Sequence, residues 1–161
     1  MDYIEVAIKD ALEGVPARAT AEQWQGESPW TIAVKMVIVK IGRDFGWLTA
    51  ANGCDSDEGK EWLYDVVWYQ SDQAHHITDV PLVAESEWGG EDAIKEDFEK
   101  LLVARSRYRV MVFQSESEEG VRNLFNRIRL WISKFHRTES GDRYLLAGWA
   151  KSKWIFDLII A

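Results

Sequence analysis

Two strand-like runs, apolar on both faces, most constrain what this chain can fold into. In residues 61–69, Trp62, Tyr64, Val66 and Trp68 alternate with Leu63 and Val67. Side chains alternate faces along a strand, so both sides of this run are apolar. Residues 80–88 follow suit with Val80, Leu82, Val83, Ala84 and Trp88. Strands of this kind lie in the middle of a sheet covered on two sides. Acids interrupt them: Asp65 in the first, Glu85 and Glu87 in the second. On a strand Glu85 and Glu87 point one way and Ser86 the other. Two like charges side by side are destabilising unless a cation or a shared proton offsets them, and a carboxylate among apolar neighbours is costly without a partner. Three acids on two adjacent strands point to a hard divalent metal site of the Mg2+ or Mn2+ kind.

The rest of the chain supplies the covering helices. Ile4, Ile8 and Leu12 predict a helix over residues 2–13, followed by a looser connector from Val15 to Gly26. A second helix starts at Ser28, which can cap, with Pro29 in its first turn. It runs through Lys35 and Lys40 to Arg43, and Gly46 ends it. Trp47–Ala51 reads as a short first strand, 52–59 as a turn, and 70–79 as a polar loop. Gly89-Gly90 leads into a helix over 91–104 with Ile94, Phe98, Leu101 and Leu102 as its apolar stripe. Tyr108–Gln114 is a fourth strand, so residues 80–114 read as a βαβ crossover. A long helix over 117–135 and two strands, 143–149 and 154–160, complete the chain. The expected fold is one mixed α/β domain spanning residues 1–161.

Composition narrows the function classes. The 161 residues contain no apolar run of about 18 or more, so no membrane partner is expected. The acidic start Met1-Asp2-Tyr3-Ile4-Glu5 carries no signal-peptide pattern. Cys54, the single cysteine, fits a reducing compartment, and a cytoplasmic location is expected. The net charge of −8 argues against nucleic acid, but its distribution does not. Residues 55–99 hold fourteen acids and two bases, whereas residues 122–153 hold eight bases and two acids. An acidic metal-holding segment followed by a basic one suits a phosphodiester substrate. His75-His76 lies in a polar loop without further ligands at zinc spacing. His136 and Cys54 lack visible triad partners, and the chain contains no phosphate-binding glycine loop or dinucleotide fingerprint.

The order of elements, a helix, a three-strand meander, then helix and strand, with acids on the second and third strands, resembles the restriction-endonuclease-like PD-(D/E)xK nuclease superfamily. The resemblance covers roughly residues 28–114 and implies a restriction-endonuclease-like core, a mixed central sheet flanked by helices. It implies Asp65 and Glu85 as metal ligands, with the main-chain carbonyl of Ser86 as an extra one. Glu87 stands where the family's third-strand lysine falls, as in some type II restriction enzymes, and would serve as a ligand or general base. Other members move the lysine to the following helix, where Lys100 is the candidate. Its long stem reaches along apolar surface, and its ammonium would orient the nucleophilic water or stabilise developing charge. Lys100 also stands four residues after Glu96, the spacing of an ordinary surface pair. Glu61, four residues before Asp65, would join a second metal.

The function so implied is Mg2+- or Mn2+-dependent endonuclease cleavage of DNA, since bound metal neutralises the phosphate, activates water and stabilises the leaving oxygen. A homodimer or partner subunit is expected, because little chain remains for separate recognition. Two further readings stand beside it: a nuclease fold serving only in protein interaction or regulation, and an acidic nucleic-acid mimic.

Overall fold

A computed structural model describes residues 1–161, as four helices and six strands of the α/β class. The chain divides into two compact units, Met1–Val83 and Ala84–Ala161. No helix is long and apolar enough to cross a membrane.

The first unit begins with α1 (Tyr3–Ala21), which starts at a capping box. Asp2 Oδ1 accepts from the Ile4 and Glu5 amides at 3.1 and 3.2 Å, and Glu5 Oε2 accepts from the Asp2 amide at 2.8 Å. The helix continues past residue 13 and through Pro16 to Ala21, into the Val15 to Gly26 stretch expected to be a looser connector. Val15 and Ala19 continue the buried stripe of Ile4, Ile8 and Leu12, and their burial outweighs the hydrogen bond that proline cannot donate. In α2 (Ser28–Asp44) Pro29 occupies the first turn as expected, but Ser28 is already helical and Glu27 is the N-cap, with no side-chain cap bond. Phe45 ends the helix and Gly46 follows with φ +83°.

Strand β1 (Leu48–Ala51) pairs antiparallel with β2 (Val66–Ser71), Leu48 facing Tyr69 and Ala51 facing Val66. The second strand therefore begins five residues later than the apolar alternation predicts. Residues 52–65 fold back on β1 instead. Asp57 Oδ2 accepts from the Thr49 amide and hydroxyl at 2.8 and 2.7 Å, and Ser56 Oγ bonds the amide and carbonyl of Ala51 at 3.1 and 2.7 Å. These side chains compete successfully with a ladder for the backbone. Trp68 is fully buried and donates to the Ile38 carbonyl at 3.1 Å. Only glycine fits opposite it: a Cβ on Gly42 would lie 2.6 Å from the indole nitrogen.

Strand β3 (Ile77–Glu87) follows β2 after a tight turn, shorter than the predicted loop. Asp72 accepts from the amides of Ala74 and His76 at 2.9 and 2.8 Å, and His75 takes a left-handed φ of +63°. The His75-His76 pair thus belongs to a turn. Within the first unit the sheet order is β1-β2-β3.

The second unit receives the end of β3 and continues with α3 (Glu91–Val103), β4 (Tyr108–Gln114), α4 (Glu118–Lys134), β5 (Arg143–Trp149) and β6 (Trp154–Ile160), in sheet order β3-β4-β5-β6. Strands β4 and β5 are parallel, with Val110 beside Leu145, and β6 returns antiparallel with Trp154 opposite Trp149. Helix α4 makes the crossover that a parallel pair requires. Its core residues Val121, Phe125 and Ile128 are buried, as are Ile94, Phe98 and Leu101 of α3. Phe98 meets Tyr144 at 5.7 Å and Trp131 at 5.9 Å between ring centroids. Gly148 lets α4 approach β5, since a Cβ there would lie 2.3 Å from a Val121 methyl.

Candidate functional site

Three of the four acids singled out in the sequence, Glu61, Asp65 and Glu85, belong to two lysine-centred clusters, one in each unit. In the first unit Lys35, on α2, lies buried between two carboxylates. Its Nζ stands 3.0 Å from Asp65 Oδ1 and hydrogen-bonds Glu61 Oε1. Asp65 comes from the residue just before β2, and Glu61 from the irregular segment ahead of it. They meet through the lysine and not through the shared strand face that the alternation predicts. Burial works against the charge on Lys35. The bond to Glu61 and the field of Asp65 more than offset it and hold the ammonium pKa above its usual value.

In the second unit the buried member is an acid. Glu85, near the end of β3, is 3% exposed, and Lys100 Nζ reaches to 3.3 Å from its Oε1. The same ammonium lies 2.7 Å from Asp97 Oδ1. Lys100 pairs with Asp97, three residues earlier, and not with Glu96. Partial burial lowers its pKa, but Asp97 and Glu85 raise it by more, well beyond the ordinary lysine range. Lys100 is therefore a fixed cation at neutral pH, suited to orienting an anion or a water and unsuited to accepting a proton. Glu87 is turned to local use: its Oε1 accepts from the Gly89 amide at 2.5 Å, tying down the turn into α3. Neither unit assembles three His, Cys, Asp or Glu side chains as a ready metal centre.

Lys35 and Asp97 were missed as partners. A lysine set between Val34 and Ile38, inside an apolar helical run, was the available signal for the first. For Asp97 it was the three-residue spacing to Lys100.

The basic segment is partly neutralised from within its own unit. Arg127 pairs with Glu91, Arg129 with Asp157, Lys151 with Glu116, and Lys153 with Glu118 at 2.7 Å. Cys54 is half-buried and its thiol pKa is pushed up, chiefly by burial, so it lacks thiolate character.

Comparison with protein-family models, curated proteins and solved structures finds no match. The functional reading rests on the residues alone.

Proposed function

We propose that this chain is a divalent-metal-dependent, nuclease-like protein that hydrolyses phosphodiester bonds in DNA with Mg2+ or Mn2+. The observation that carries the reading is the pairing of Glu85, a carboxylate buried at the end of a central strand, with Lys100 from the helix that follows. An acid and a lysine in that order are the parts that hydrolysis of a phosphodiester uses: an oxygen ligand for the ion and a fixed cation beside it. Within the second unit Glu87 is the auxiliary carboxylate; Asp65 and Glu61, the other ligands the resemblance implies, belong to the first unit's own cluster. Solvent-facing Arg122 and Lys134 on α4 are the proposed phosphate contacts.

The test is cleavage of plasmid and linear DNA with Mg2+, Mn2+ and chelator. Activity is expected only with the ions and is expected to disappear in Asp65→Asn and Glu85→Gln, which keep shape and remove charge. Cleavage that survives both substitutions would overturn the reading.

One observation favours a second reading, a non-catalytic interaction protein. Lys35 and Lys100 already offset Asp65, Glu61 and Glu85, so the acids are charge-compensated without an ion. A metal would have to displace or share with an ammonium. A chain that binds neither divalent ions nor DNA at low salt would move the assignment to this reading.

A further inference from the structure

We propose that a cavity in the second unit, remote in sequence from Asp65 and Glu85, binds a phosphate monoester carried on a nucleoside. The cavity measures about 760 Å³ and lies among the end of α3, the loop before β4, and the loop after α4. That volume falls within the range of about 300–1,000 Å³ that small-molecule sites occupy.

Half of its polar lining is cationic. Arg105 and Arg137 are exposed on its walls, and neither forms an ion pair. Arg109 lies buried in the wall. Its Nη1 stands 3.0 Å from Asp142 Oδ1 and its Nη2 donates to the Ala104 carbonyl at 2.8 Å, while its buried Nε has no hydrogen-bond partner. Ser106 adds a hydroxyl, also buried and without a partner. Unmatched buried donors are uncommon, and a ligand acceptor is one remedy.

Of the two acids of the lining, Asp142 is accounted for. Asp142 uses one oxygen on Arg109 and the other on the Glu139 amide at 3.0 Å. That leaves the Glu139 carboxylate against the two open guanidinium groups. Nor are those arginines needed as helix caps. Arg109 takes the Ala104 carbonyl at the end of α3, and Thr138 Oγ1 donates to the Ile132 carbonyl at the end of α4 at 3.0 Å. Two free guanidinium groups with a hydroxyl between apolar walls match a dianionic phosphate, which accepts forked hydrogen bonds. Phe135 provides an aromatic face in the same cavity, on which a nucleobase stacks.

The experiment titrates the full chain with AMP, adenosine, inorganic phosphate, and oligonucleotides with and without a 5′-phosphate. AMP is expected to bind at least about tenfold more tightly than adenosine or inorganic phosphate. Arg105→Gln and Arg137→Gln are each expected to weaken AMP about tenfold, the size of one charge-assisted hydrogen bond. Arg18→Gln, on α1 of the first unit, is expected to leave it unchanged. A 5′-phosphorylated oligonucleotide that outbinds AMP identifies a strand end as the source of the phosphate; one that binds more weakly identifies the free nucleotide. Equal affinity for AMP and adenosine, or full affinity in Arg105→Gln and Arg137→Gln variants that melt like the parent, would overturn the proposal. Asp65→Asn and Glu85→Gln are expected to bind AMP normally, so the site stands or falls apart from the nuclease reading.

Discussion

The two lysine–acid clusters are built from the same groups with the burial inverted. In the first unit the cation is inside: the Lys35 side chain is 7% exposed, against 19% for Asp65 and 41% for Glu61. In the second unit the anion is inside, with Glu85 at 3% and Lys100 at 45%. Burial decides which member depends on the other, because an exposed charge that loses its partner is resolvated whereas a buried one is not. Lys35 needs its acids, and Glu85 needs its lysine. The second arrangement is the one open to exchange, since Lys100 is the exposed member, and on the proposed reading a divalent ion would take its place at Glu85.

The largest expected effect follows from that dependence. Lys100→Met removes the exposed member and withdraws the ammonium nearest a buried carboxylate, at a cost of about 3 kcal/mol in urea unfolding. Glu85→Gln removes the buried charge itself and should cost less, about 1 kcal/mol. If the two costs come out equal, the inversion has no energetic content. In the first unit the asymmetry should reverse. Glu61→Gln with Asp65→Asn strands Lys35 and is expected to cost about 2–3 kcal/mol, whereas Lys35→Met is expected to cost about 1 kcal/mol or less. A Lys35→Met protein that fails to fold would contradict this.

Which parts of this were legible in the sequence follows from what forms each element. Strands β4, β5 and β6 begin and end where the apolar alternation places them, because tertiary burial and local pattern agree there. The alternation of Trp62, Tyr64 and Val66 misled at β2. Asp57 and Ser56 bind the preceding segment to β1, and Leu63 is left exposed. At α1 the spacing of Ile4, Ile8 and Leu12 gave a helix only to residue 13, and the buried stripe continues through Val15 and Ala19 despite Gly14 and Pro16. The reach of Lys100 toward Glu85 was legible from its place at the edge of the α3 stripe. The cluster around Lys35 was not, since it joins a helix to an irregular segment that no periodicity announces.

A packing comparison ranks next. Gly42→Ala forces a methyl against Trp68, whose indole is held by its bond to Ile38, and should cost about 2 kcal/mol. Gly148→Ala meets a Val121 methyl instead, and a similar loss in thermal unfolding would show that both units are packed to the same tolerance. Equal stability of the parent and either variant would refute that close approach.

The smallest effect is a titration. Burial, then the hydrogen bond to Glu58 at 2.9 Å, pushes the Tyr69 phenol up to about 12. A phenol with a raised folded pKa contributes stability fully below its ordinary value of about 10, and that contribution is lost as pH rises toward 12. Lys35 and Lys100, also raised, begin to lose their contributions above about 10.4, overlapping that window. Phenolate absorbance therefore isolates Tyr69 better than stability does. Burial also raises the Tyr144 phenol, so two tyrosines should titrate late, and Tyr69→Phe should leave one of them; two late phenols persisting in that variant would assign the shift elsewhere.

The most direct test of the functional account is calorimetric titration of Mn2+ into the parent chain and into Glu85→Gln at low salt. The account expects saturable binding to the parent, displaced by chelator, and at least about tenfold weaker binding once the Glu85 charge is gone. Binding of equal strength to both proteins, or none to the parent, would contradict it.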